Sequence, residues 1–175
     1  GAVKPLAEVE EFTSLFLVFG HNPFLGVIAG ALLTAVIQSS SASVGILQAL
    51  CLTGAVPYSS ALPIIMGQNI GTCVTALLSA IGANKNAKRA AFVHFYFNII
   101  GTVIFMLVFY AVNALYPFAF MDDAADAAGI AVIHSCFNVA ATFVLLPFKN
   151  VLVKLATLTI HDGEAEEEKS GLRLL

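Results

Sequence analysis

The chain has 175 residues, 59% of them hydrophobic and 11% charged, with no Trp and a formal net charge of −3. Soluble domains carry about 25% charged residues, whereas no Asp, Glu, Lys or Arg stands between Glu11 and Lys85 here. A dispersed soluble domain does not tolerate such a gap, and the absence of a basic face excludes nucleic acid as a partner.

In a bilayer the same tract is cheap, because a charge at its centre costs about 2.5–3.5 kcal/mol on insertion scales. Polar groups within the tract must then face a cavity, a partner or a substrate. The chain starts at Gly1, shows no cleavable signal peptide and reads as a piece of something longer. Cys51, Cys73 and Cys136 lie in apolar segments. Their odd number and spacing fit small buried side chains rather than a disulfide framework or a zinc site.

Residues 1–22 read as an interfacial amphipathic helix. Glu8, Glu10 and Glu11 open it, and Phe12, Leu15, Phe16 and Phe19 recur at helical spacing. Residues 23–56 follow the Asn22-Pro23 punctuation. Phe24–Ile37 makes a helix of about 21 Å, too short to span a core of about 30 Å. Gln38-Ser39-Ser40-Ser41 interrupts it, and Val44–Val56 is a second short arm. Two short arms joined by a polar tip predict a re-entrant hairpin.

Residues 57–84 begin at the turn Pro57-Tyr58-Ser59-Ser60 and continue as a spanning stretch, Ala61–Ile81. At its middle lies Gly67-Gln68-Asn69-Ile70-Gly71-Thr72, with Thr75 beyond. Two glycines flanking an amide pair predict a broken transmembrane helix with released backbone groups. The alternative is a Gly-xxx-Gly packing face, which leaves the neighbouring amides and threonines unexplained.

Residues 85–148 supply two further transmembrane helices, Ala90–Tyr116 and Ala127–Phe148. Lys85, Lys88 and Arg89 read as a basic loop between spans, cytoplasmic by the positive-inside rule, and Asp122, Asp123 and Asp126 mark the opposite side. The hairpin then opens outward. Each helix carries H-x-x-F-N: His94 to Asn98 and His134 to Asn138. His and Asn four apart share a helix face and suit interhelical hydrogen bonding, with proton relay or ligand contact as the other role. Residues 149–175 read as a cytoplasmic acidic tail or linker.

The tip combines hydroxyls and a carboxamide with the N-terminus of the second arm, whose free amides and partial positive charge attract anions. An oxyanion held by dipoles alone needs cations brought in alongside it. Carbonyls released at Gly67–Thr72, with the Asn69 and Thr72 side chains, would be hard oxygen donors for sodium. Ser39–Ser41 have no Asp or Glu in their segment and no base nearby, so a catalytic nucleophile is unsupported and no enzyme is expected.

Thr34-Ala35-Val36-Ile37-Gln38-Ser39-Ser40-Ser41-Ala42-Ser43, then Pro63-Ile64-Ile65-Met66-Gly67-Gln68-Asn69-Ile70-Gly71-Thr72-Cys73-Val74-Thr75-Ala76, resembles the type II sodium–phosphate cotransporters. The His-x-x-Phe-Asn elements and Leu146-Pro147-Phe148 fit that family too, and the likeness covers about Gly26 to Leu155. The resemblance implies an all-α membrane protein, one half of an inverted-repeat transporter and specifically the second half of bacterial members. It implies phosphate contact by Gln38, Ser39, Ser40 and Ser41, and sodium binding by Ser43, Gln68, Asn69 and Thr72. Thr75, His94, Asn98, His134 and Asn138 would be supporting polar residues.

Sodium would be the coupling ion, with no other cofactor and no transition metal. Implied partners are phosphate, sodium, the bilayer, the other repeat or a second copy, and a C-terminal domain of the PhoU type after the acidic tail. The family builds its site from two inverted repeats, each with its own QSSS, whereas this chain carries one. The expected function is sodium-coupled phosphate transport by a multi-pass protein of the plasma membrane, most naturally the bacterial inner membrane. The alternative is a membrane-embedded phosphate-sensing or scaffold module without net transport.

Overall fold

The computed structural model describes residues 22–54 and 56–161, together with Ser14. The amphipathic helix expected over residues 1–22 (Ser14 and Asn22 apart) and the acidic stretch 162–175 lie outside the described residues. Among the described residues six α-helices follow one another: α1 Pro23–Ile37, α2 Ser40–Cys51, α3 Tyr58–Ser79, α4 Lys85–Leu115, α5 Ala127–Leu145 and α6 Lys149–Thr159. Among the described residues there is no strand, only an isolated bridge between Pro57 and Ala124. Three stretches of the described residues are long and apolar enough to cross a membrane: Tyr58–Ser79, Lys85–Leu115 and Ala127–Thr159.

α1 starts where the Asn22 side chain accepts from the backbone amides of Phe24 and Leu25, with Pro23 in the first turn. It buries Gly26, Gly30 and Thr34, spaced by four, against α3, and exposes Phe24, Ile28, Leu32 and Val36 on its other side. Packing is closest at the glycines. A Cβ on Gly30 would collide with the Ile64 carbonyl, one on Gly67 with the Val27 carbonyl, and one on Gly71 with the Ala31 carbonyl and Thr34 Cβ. Small residues let two helix backbones approach this closely in a membrane.

This contact corrects the expected break in the third helix. α3 runs without interruption from Tyr58 to Ser79. Gly67 and Gly71 are there to admit the backbone of α1, and the carbonyls between Gly67 and Thr72 belong to a regular helix rather than to a released segment. α3 is the centre of the bundle, packing on α1, α2, α4 and α5, and every residue from Ala61 to Asn69 is buried.

Further boundaries differ from expectation. The second arm begins at Ser40, four residues earlier than Val44, because Ser39 caps it by accepting from the Ala42 amide at 3.3 Å. α4 begins at Lys85, where Asn84 accepts from the Ala87 amide at 2.9 Å. The 3-10 turn Leu146–Phe148 ends α5, and Pro147 lies within it. Lys149–Thr159, expected to be part of a tail, is instead a helix packed on α4 with Leu152 and Ala156 buried. Cys51 and Cys73 are buried as expected, but Cys136 is exposed on α5.

The two ends of the bundle are tied separately. At one end, the Ala125 amide donates to the Val56 carbonyl at 2.8 Å and the Tyr58 amide to the Asp123 carbonyl at 3.1 Å. At the other, Arg89 Nε and Nη2 donate to the Ile160 carbonyl at 3.1 and 2.9 Å, and Tyr96 and Thr159 share a hydroxyl bond of 2.7 Å. The exit of α2 thus lies beside the acidic loop, and the basic first turns of α4 lie beside the end of α6.

Candidate functional site

Gln38 and Ser39 alone join α1 to α2. Gln38 is left-handed, with φ 55° and ψ 26°, and its amide donates to the Thr34 carbonyl at 2.7 Å. It is the sole non-glycine residue with positive φ among the described residues. That conformation costs a non-glycine residue about 1–2 kcal/mol and turns the chain within two residues. Gln38, Ser40 and Ser41 are exposed and Ser39 is half-buried. Ser39 Oγ and Ser41 Oγ lie 3.3 Å apart. The tip therefore presents hydroxyls and a carboxamide at the N-terminus of α2, where backbone amides are free and the helix dipole is positive.

Behind the tip, the polar groups turn inward. Ser43 is wholly buried; its Oγ accepts from the Thr34 hydroxyl at 2.7 Å, and its carbonyl accepts from Gln68 Nε2 at 3.0 Å. Gln68 is 1% exposed, and its Oε1 has no hydrogen-bond partner. An unpaired buried carbonyl oxygen costs about 1–3 kcal/mol, so this atom is the natural place for a donor or a hard cation. The sequence motif by itself assigns Thr34 no role. Its four-residue spacing from Gly30 was the available signal.

A second polar group sits one residue further along α3. Asn69 is 4% exposed. Its Nδ2 donates to the Ile65 carbonyl at 3.0 Å, and its Oδ1 accepts from Asn138 Nδ2 at 3.2 Å. His134 Nε2 lies 3.2 Å from the same oxygen. The Thr72 hydroxyl donates to the Asn69 carbonyl. Asn69, Thr72, His134 and Asn138 are thus joined across α3 and α5, whereas Ser43 and Gln68 join the hairpin to α3.

The other expected residues stay apart. Asn98 Nδ2 donates to the His94 carbonyl of its own helix at 3.0 Å, and His94 is exposed. The Thr75 carbonyl accepts from Ser79 of its own helix at 2.8 Å. Neither His94 nor Thr75 contacts the tip or Asn69 through a hydrogen bond. Gln48, which sequence reasoning passed over, fastens α2 to α5 by donating to the Ala127 carbonyl at 2.9 Å. A lone carboxamide in an apolar arm was the signal for it.

Residues 3–145 match the family model described as Na+/Pi-cotransporter. The chain is 28% identical over 156 residues to the uncharacterized protein YqeW of Bacillus subtilis (strain 168), covering 89% of this chain and 50% of that protein. It is 32% identical over 139 residues to sodium-dependent phosphate transport protein 2C of Rattus norvegicus, covering 76% of this chain and 22% of that protein. With sodium-dependent phosphate transport protein 2A of the same species it shares 40% identity over 91 residues, 49% of this chain and 14% of that protein. The chain spans half the length of the Bacillus relative and a smaller share of the mammalian ones. No solved structure matches it. By its match over residues 3–145, this membrane protein belongs to the Na+/Pi-cotransporter family.

Proposed function

We propose that the chain forms one half of the binding site of a sodium-coupled phosphate transporter. Phosphate is held at the tip by Gln38, Ser39, Ser40 and Ser41, together with the free amides of α2. Sodium is held behind it by Ser43, Gln68, Asn69 and Thr72. The observation that carries the reading is the buried, unpartnered Gln68 Oε1, fastened by its own amide to the helix that the serine tip begins.

Chemistry supports this division. The tip offers donors and no fixed cation, so it suits an anion whose charge is balanced by co-bound ions. Asn69 Oδ1 already accepts from α5, and the carbonyls of α3 are spent on the helix. Gln68 Oε1 therefore supplies the oxygen that is still free, with the remaining lone pairs of Ser43, whose carbonyl holds the Gln68 amide, and of Thr72, one turn further along α3.

Membrane placement belongs to the same proposal. At 1.5 Å per residue, α1 and α2 reach about 22 and 18 Å, short of a hydrocarbon core of about 30 Å. They form a re-entrant hairpin whose mouth shares the side of the acidic loop. The other half of the site comes from an inverted repeat or a second copy, and a PhoU-like domain would follow the acidic stretch. The bacterial inner membrane is the location that this reading implies.

Equilibrium binding of radiolabelled phosphate to the chain assembled with its other half, as a self-paired copy or within the longer transporter, tests the site. Binding should rise with sodium but not with potassium, and Ser40→Ala should weaken it about 10- to 100-fold, the worth of one hydrogen bond to a charged group. Gln68→Leu should remove the sodium dependence. Equal binding in sodium and potassium, or an unchanged Ser40→Ala affinity, would sink the assignment. Gln38→Gly should weaken phosphate binding while raising stability by about 1 kcal/mol, because glycine accepts the left-handed turn without strain. Uptake into proteoliposomes then separates transport from sensing, for which binding would occur without flux.

A further inference from the structure

The turn between α3 and α4 borders an apolar groove of about 450 Å³, and none of the tip residues Gln38–Ser41 lines it. Val74, Leu77, Leu78, Ile81 and Phe92 line it, and Lys88 stands in the same wall. A volume of this order falls within the range of about 300–1,000 Å³ found for small-molecule sites. Leu78 is 47% exposed and Ile81 74% exposed, so the groove is open on its outer side. No side chain or backbone group among the described residues bonds the Lys88 ammonium.

We propose that this groove is a binding site for an anionic phospholipid, one acyl chain lying against Leu77, Leu78 and Phe92 and the headgroup phosphate on Lys88. Charge selects this occupant. Lys85, Lys88 and Arg89 open α4, Lys149 and Lys154 lie on the helix packed beside it, and the Arg89–Ile160 bond ties the two together. The Asp residues of the described chain, Asp122, Asp123 and Asp126, all lie at the opposite end of α4 or at the start of α5. Among the described residues the groove thus opens at the basic end of the bundle, which anionic lipid favours.

Energetics decide which part of the lipid is recognised. A tail leaving bulk lipid for an apolar groove gains little, since lipid tails are as apolar as the side chains it meets. Selectivity therefore rests on the headgroup, and the groove contributes shape. Lys88 has the right form for this: its aliphatic stem can lie along the apolar wall while its ammonium stays at headgroup level.

Native mass spectrometry of the delipidated chain in detergent tests the proposal. The probes are phosphatidylglycerol, phosphatidylcholine with the same acyl chains, and inorganic phosphate. The first lipid should bind at least ~5-fold tighter than the second, the worth of one lysine facing anionic lipid. Lys88→Gln should abolish that preference, whereas Lys154→Gln, on the same side but outside the groove, should keep it. Leu78→Trp should fill the groove and weaken both lipids alike; if that variant does not fold, the two lysine variants decide. Equal binding of the two lipids to the unaltered chain, or an unchanged preference in Lys88→Gln, would overturn the site. So would displacement of phosphatidylglycerol by an equal concentration of inorganic phosphate, which would assign Lys88 to the free anion.

Discussion

α4 and α5 carry the same five-residue pattern, His94 to Asn98 and His134 to Asn138, and the two copies begin alike. In each, the Asn side-chain amide donates to the carbonyl of the His four residues back, at 3.0 Å in α4 and 2.8 Å in α5. Beyond that bond they part. On α5, His134 and Asn138 converge on Asn69 of α3, and Phe137 between them is fully buried, its ring edge-on to Phe105. On α4, His94 is exposed, Asn98 is buried without reaching the α3 amides, and the His94 carbonyl takes the Cys73 thiol at 3.6 Å. A motif of this length encodes its own back-bond. Whether it becomes part of a wider network depends on which neighbouring helix brings a carboxamide to it, and α3 brings Asn69 to α5 alone.

The comparison depends on where α3 lies, so the largest effect should come from displacing that helix. Gly67→Val places a branched side chain against the Val27 carbonyl, a backbone atom that cannot move aside. The expected loss is about 3 kcal/mol, at the upper end for overpacking, read from unfolding in detergent. A loss below 1 kcal/mol would mean that α1 and α3 are not in such close contact. Asn69→Leu removes the oxygen shared by His134 and Asn138 and leaves both half-buried side chains without it. It should cost about 1–3 kcal/mol and abolish sodium-dependent phosphate binding.

Smaller effects separate the two copies of the motif. His134→Ala should destabilise the chain by about 1 kcal/mol, up to the ~1.7 kcal/mol seen for the strongest hydrogen bonds inside membranes. His94→Ala, by contrast, should be close to neutral. Equal losses in the two variants would erase the distinction between the helices. The finest test is a double-mutant cycle. Asn69 and Asn138 should couple by about 0.6 kcal/mol, and Asn69 and Asn98, linked only through the Cys73 thiol, by less.

Much of this molecule was legible in its amino acids. The charge-free tract from Phe12 to Asn84 required a bilayer, because no other solvent makes it cheap to bury. The turn at Gln38–Ser39 was marked by polar residues ending an apolar run, and the structure puts it there. Length alone identified the three candidate spans, because a hydrocarbon core of fixed thickness sets the number of helical residues.

What sequence could not decide was how neighbours use each residue. Gly67 and Gly71 satisfy two incompatible readings, a broken helix and a packing face, since glycine lowers the cost of both. Only the backbone of α1 lying against them settled the choice, because a glycine contact is defined by what approaches it. The helix Lys149–Thr159 was hidden for the same reason: its lysines read as a tail until Leu152 and Ala156 were found buried against α4. Local chemistry is written along the chain. The partners of Gly67, Gln68, Asn69 and His134 come from segments distant in sequence, and three-dimensional packing alone selects them.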